Sequence, residues 1–113
     1  MLLALSAGFA SHAVLAADGN VPDAGRGRHL LAQYQCGSCH VIPNVAAARG
    51  TLGPSLQSFG RRSYIAGEVP NRGDNLVRWI VEPRALVPNT TMPSMGVSVE
   101  DARHMAAFLH GLR

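Results

Sequence analysis

Apolar positions along the chain fall into three helical rhythms, separated by long stretches that have no rhythm at all. Residues 23–35, DAGRGRHLLAQYQ, open on an acid and set Leu30, Leu31 and Tyr34 at helical spacing, which predicts a first helix. Residues 74–81, DNLVRWIV, again start acidic and bring in Leu76, Val77, Trp79 and Ile80. That short helix stops at Glu82-Pro83, because proline disfavours helix in the residue before it. The last segment opens with Ser98 as N-cap and an acid, Asp101, at the third helical position, the weaker aspartate form of a capping box. Val99, Ala102, Met105, Ala106 and Leu109 then keep helical spacing, Phe108 and Leu112 widen the stripe, and Gly111 marks its end.

Between these rhythms the chain is punctuated rather than patterned. Residues 43–70 carry Pro43, Gly50, Gly53, Pro54, Gly60, Gly67 and Pro70, and read as loop with at most a helical turn or two. Residues 83–96 are extended, broken by Pro83, Pro88 and Pro93 around Met92. No stretch alternates as a strand would, and nothing repeats. The pattern therefore predicts an all-α chain of three to four helices with long irregular connections.

The first seventeen residues stand apart, because Leu2, Leu3, Ala4, Leu5, Phe9, Val14 and Leu15 lie in a run without a charge. An apolar run, then Val14-Leu15-Ala16, then polar Asp18-Gly19-Asn20, reads as an export signal over residues 1–17, cut after Ala16 or Ala17. No basic residue leads the run, so this reading expects a start further upstream. As a membrane span the run is too short and too interrupted, by Ser6, Gly8, Ser11 and His12. The expectation is a soluble, exported, periplasmic protein with one domain, residues 18–113.

Composition sharpens that picture in two places. Of 113 residues 47% are apolar, but much of that share belongs to the leader. Beyond it the aromatics are only Tyr34, Phe59, Tyr64, Trp79 and Phe108, too little bulk to fill a core unaided, a deficit that a large apolar cofactor would make good. All ten basic side chains are arginine, against seven carboxylates. The balance is mildly basic and lacks the clustered footprint with interleaved aromatics that nucleic acid requires.

The chain's two cysteines lie together in Cys36-Gly37-Ser38-Cys39-His40. A disulfide there would close a tiny loop and remove little unfolded-state entropy. A redox dithiol belongs after a strand, at the start of a helix, whereas this motif follows a helix in a chain read as strandless. Zinc would need ligands beyond these three, and His29, His104 and His110 have no paired spacing. Covalent haem attachment is the remaining reading, since C-x-x-C-H is its pattern. Cysteines three apart leave one side of a helical turn, and His40 follows directly to meet the iron.

With GRHLLAQYQCGSCHVIP, LGPSL, FGRRSYIAGEVPN, NLVRWIVEP, NTTMPSMGV and SVEDARHMAAFLHGL in this order, the chain resembles a small bacterial monohaem cytochrome c of class I. The likeness extends to cytochrome domains that accompany respiratory oxidases or dehydrogenases. It implies a cytochrome c fold wrapped around one haem c, covalent through Cys36 and Cys39, with the iron held by His40 and, on the other face, by Met92 in its Met-Pro context. Met95 stands where relatives usually carry leucine and is expected to pack against the haem, Met105 to belong to the core, and the remaining helix histidines to lie at the surface. Pro54 is the proline expected beside the His40 ring, with a neighbouring carbonyl for its free nitrogen. Arg61, Arg62, Tyr64 and Trp79 are candidates to bond the haem propionates, with no choice among them. Gly27 is expected to let the first and last helices cross closely against Phe108 or Leu109.

Two ligated faces imply outer-sphere transfer of one electron; no catalytic acid, base or nucleophile stands out in the sequence, and the expectation is a carrier rather than an enzyme. Donors would be a dehydrogenase or a quinol-oxidising complex, and the acceptor a terminal oxidase or similar protein, steered to arginines such as Arg61 and Arg62 by weak contacts. The protein is expected as a monomer or as a subunit of a larger redox complex. The alternative is a haem enzyme or gas sensor whose sixth ligand is labile.

Overall fold

In the computed structural model the described residues are Gly8, Ala10, Ser11 and 21–113. Apart from those first three, the expected export signal lies outside them. Asp23 caps the first helix, α1 (Ala24–Gln33), its carboxylate accepting the Arg26 N–H at 2.9 Å. That hydrogen bond holds its carboxyl below the usual range. An acid at the third helical position would complete a capping box, but Arg26 is there. The Asp23 N–H is taken instead by Nδ1 of His104, 2.8 Å away in the last helix. Helix α1 ends earlier than its pattern suggests: Tyr34 is the C-cap, and Gln35 turns left-handed at φ 59°.

The middle of the chain has more order than its glycines and prolines predicted. A 3₁₀ turn, Phe59–Arg61, leads into a small antiparallel hairpin of β1 (Tyr64–Ile65) and β2 (Val69–Pro70), in which Ile65 pairs with Val69. Two-residue strands are too short to show alternation, which is why none was legible. Helix α2 (Asn75–Val81) stops as expected, with Glu82 extended at φ −147°. Pro83 then starts a further helical turn, α3 (Pro83–Leu86), where extended chain was expected. Its fixed φ and missing N–H suit the first helical position as well as they end the previous helix.

The last helix, α4 (Val99–His110), is capped by the Ser98 hydroxyl, which accepts the Asp101 N–H at 3.1 Å. The Asp101 carboxylate accepts the Tyr34 hydroxyl of α1 at 2.7 Å and lies 3.8 Å from the exposed Arg26 guanidinium. Ala102, Met105, Ala106 and Leu109 are buried, as their spacing demanded. The crossing of α1 and α4 is set by Gly27, where a Cβ would overlap the His104 carbonyl and come 2.9 Å from the Met105 nitrogen. The close approach was anticipated, but against that backbone rather than Phe108 or Leu109.

Two helix histidines are not at the surface. His104 is buried because its ring serves the start of α1. His110 is half-buried, its Nε2 3.0 Å from Asn71 Oδ1. Since Asn71 Nδ2 donates to Arg62 O at 3.0 Å, Oδ1 is the accepting end and His110 Nε2 carries the proton. The core joins Leu30 and Leu31, Leu76, Trp79 and Ile80, and the buried stripe of α4. The fold is all-α, with one two-stranded hairpin among the described residues. Among the described residues no helix is long and apolar enough to cross a membrane.

Candidate functional site

Because Gln35 takes the left-handed conformation, the cysteine motif leaves the line of α1 and winds its own 3₁₀ turn, Cys36–Ser38. The Cys36 carbonyl accepts the N–H groups of Cys39 at 3.2 Å and of His40 at 3.1 Å. Positions three apart eclipse one another in such a turn, so Cys36 and Cys39 leave from the same side. The two thiols are not joined. Burial pushes the Cys36 thiol above its ordinary value of 9.0, the opposite of the lowered pKa that makes a dithiol reactive. Among the described residues no group of three or more His, Cys, Asp or Glu is gathered to hold a metal ion, so zinc would find no further ligands of these types here.

The following loop closes on this turn through its backbone. Gly50 N–H donates to Gly37 O at 2.9 Å, and Val41 bridges Arg49. Residues 53–56 then pass back alongside, tied at both ends by Gly53 N–H to Cys39 O and Leu56 N–H to Val41 O, each 2.8 Å. Between those ties the Pro54 carbonyl lies 2.6 Å from His40 Nδ1. A carbonyl only accepts, so Nδ1 bears the proton and the neutral ring keeps the Nε2 lone pair for another partner. Gly53 lies against the ring itself, where a Cβ would be 2.5 Å from Cε1.

His40, Pro54 and the cysteines are thus brought into one constellation, while the other sequence candidates are spread around the core. Cys36 and Met92 are half-buried and pack against the same apolar cluster. The Met92 loop is fixed by its own N–H bonding Thr90 Oγ1 at 3.2 Å and by Ser94 Oγ bonding Val81 O, at the end of α2, at 3.3 Å. Trp79 is buried in the core, and Met105 is fully buried. Arg61, Tyr64 and Met95 are exposed. Arg62 is half-buried, with Nη2 donating to Ser55 O and its guanidinium carbon 5.4 Å from the centre of the Phe59 ring.

Two contributors were not singled out in the sequence. Gly53 had a signal, since a glycine before a structural proline marks close approach. Asn71, which bonds Arg62 O and His110, had none.

No family model matches the chain. It is 33% identical over 91 residues to cytochrome c oxidase subunit 2 of Alkalihalophilus pseudofirmus, a match covering 80% of this chain and 26% of that protein. To cytochrome c oxidase subunit 2 of Bacillus subtilis it is 29% identical over 92 residues, covering 78% and 26%. The chain therefore spans about a quarter of the length of these two relatives. With cytochrome c-552 of Bradyrhizobium diazoefficiens it shares 32% identity over 111 residues, 98% of this chain and 90% of the relative. At that identity, nearly end to end on both sides, the chain belongs to the cytochrome c family, whose general business is electron transfer.

Proposed function

We propose that this protein is a periplasmic one-electron carrier, or the electron-transfer subunit of a larger redox complex, of the class I c type. It holds one haem c through thioethers from Cys36 and Cys39, with His40 and Met92 as the iron ligands. The observation that carries the reading is the His40 ring, which is bonded at Nδ1 to the Pro54 carbonyl and closed off along one edge by Gly53. A ring so fixed, with Nε2 as its free donor atom, fits a metal ligand oriented by its second shell.

A bound haem would supply one-electron chemistry between Fe(II) and Fe(III). This chain's own residues do the rest. The 3₁₀ turn aligns two thiols for attachment, the strap at residues 53–56 holds the histidine, and the pinned 90–94 loop offers a thioether from a half-buried position. Methionine favours the reduced metal relative to a second histidine. With His40 and Met92 both holding the iron, these side chains would leave no place on it for a substrate. The exposed Arg61 offers positive charge to acidic partners, by contacts that salt weakens. Relatives named as oxidase subunits support a terminal oxidase as the acceptor, with a dehydrogenase or quinol-oxidising complex as the donor.

The test begins with protein matured in a host competent for c-haem attachment. A pyridine haemochrome of the two-thioether type is expected, together with the weak red absorption of sulfur-ligated ferric haem. Met92→Ala should abolish that band and Met95→Ala should keep it. Equal loss in both would sink the assignment of Met92, and ready binding of carbon monoxide by the reduced wild type would overturn the carrier reading.

A further inference from the structure

We propose that Arg62 is a positioning residue that clamps the Pro54-Ser55 strap onto His40, and that it does not serve as a propionate partner. The proposal rests on the reading of His40 as an iron ligand. Of the tandem arginines, Arg61 is exposed and Arg62 is turned inward. The Arg62 guanidinium donates to the Ser55 carbonyl and, at 3.5 Å, reaches the Gln57 carbonyl, while lying over the buried Phe59 ring. Its charge is thus directed at backbone oxygens and an aromatic face.

The carbonyl it grips is the neighbour of the one that matters. Pro54 O accepts from His40 Nδ1 and Ser55 O accepts from Arg62, so two consecutive carbonyls are held from two directions. The strap's ends are tied by backbone bonds to Cys39 and Val41. The Ser55 carbonyl belongs to the next peptide, Ser55–Leu56, whose N–H is the one bonded to Val41 O. With its N–H and its carbonyl both held, the carbonyl by a charge-assisted bond, that peptide is the fixed frame from which the Pro54 carbonyl faces His40.

Arg62 is itself anchored. Its N–H bonds Phe59 O at 3.1 Å, and its carbonyl takes Asn71 Nδ2 at 3.0 Å. Asn71 continues to His110 in α4. The guanidinium therefore reaches seven residues back along the chain from a support fixed to the last helix. Orientation of the ring and the basicity of its metal-facing nitrogen both follow the Nδ1 bond, so Arg62 acts on the iron's ligand through the strap.

The experiment measures solvent exchange of the His40 Nδ1 proton by NMR in the reduced, haem-loaded protein, with the Met105 amide in the core as the reference. Arg62→Gln should speed Nδ1 exchange about tenfold or more relative to Met105, the loss of one charged hydrogen bond. Arg62→Met, which keeps the stem over Phe59 and drops the donor, gives the same result should glutamine prevent folding. Arg62→Lys restores a charged donor and should slow exchange again, while Arg61→Gln leaves it at the wild-type rate. Unchanged exchange in both uncharged variants, with reduction potentials that fall alike in Arg61→Gln and Arg62→Gln, would overturn the proposal and leave Arg62 as a charge near the haem. A wild-type protein without a haemochrome would instead overturn the reading of the site as well.

Discussion

Replacing Gly53 by alanine puts a methyl group where the His40 ring already lies. The new Cβ would be 2.5 Å from Cε1, 2.8 Å from Nδ1 and 3.0 Å from Nε2, whereas carbon atoms rest about 3.5–4.0 Å apart. The shortfall is about 1 Å, and it is relieved in one of two ways. If the ring moves, the 2.6 Å bond to Pro54 is lost. If residue 53 backs away, its N–H leaves Cys39 O and the tie between Leu56 and Val41 is stretched. Either route gives up one hydrogen bond, about 1 kcal/mol, and adds overpacking strain of roughly 1–3 kcal/mol. The stiffer unfolded chain returns about 0.5 kcal/mol.

The net expectation is a loss of about 1.5–3.5 kcal/mol. Urea unfolding of the haem-loaded protein, followed by far-ultraviolet circular dichroism, reads it as a lower midpoint at an unchanged slope. On the proposed ligation the red absorption band should weaken at the same time, because the displaced ring is the one assigned to the iron. A Gly53→Ala protein within about 0.5 kcal/mol of wild type, the usual scatter for surface substitutions, would refute the argument that the ring is closed off by residue 53.

Gly27→Ala should be harsher, because its methyl meets the backbone of His104 and Met105 rather than a side chain. About 3 kcal/mol or more is expected, read from the same urea midpoint. Ser98→Ala removes the acceptor for the Asp101 N–H and should cost about 1 kcal/mol, with Ser98→Asp recovering most of it. Burial holds the His110 pKa below its ordinary 6.5, so the unfolded chain takes up the proton first. That contribution to stability is complete above pH 6.5 and is lost as pH falls through the lowered folded value. His110→Gln should flatten the stability profile across that window, measured by urea midpoints between about pH 7 and 5. An unchanged slope would show that Asn71 holds a ring free to charge.

The helices were legible because their requirements are periodic. Ser98, the stripe from Ala102 to Leu109 and the closing Gly111 all state the same element, and α4 forms as they say. The need for a close crossing at Gly27 could be read as well, but not its partner. Which turn of α4 meets Gly27 depends on the register of two helices, fixed here by tertiary bonds, Tyr34 to Asp101 and Asp23 to His104. His104 flanks the apolar stripe and reads as a surface residue until the missing acid at Arg26 is noticed. A capping box without its third-position acid leaves an N–H to satisfy, and the buried histidine answers it.

The site divides in the same way. Cys36, Cys39, His40 and Pro54 could be singled out because the proposed attachment and ligation, and a rigid carbonyl beside the ring, call for those residue types. What surrounds them is built mostly from backbone hydrogen bonds, Gly53 to Cys39, Leu56 to Val41 and Gly50 to Gly37, and a peptide bond has no preferred side chain. Loops built this way leave a trace only where a Cβ or an N–H must be absent, hence at Gly53 and Pro54. Arg62 shows the converse. A charged side chain in an irregular stretch suggests an external partner, yet in the folded chain its guanidinium is directed at the strap beside the histidine. Sequence alone cannot separate those uses of an arginine, since both are charge-assisted bonds to oxygen. The separation depends on whether the oxygen belongs to a carboxylate or to the chain's own backbone, and only the fold decides that.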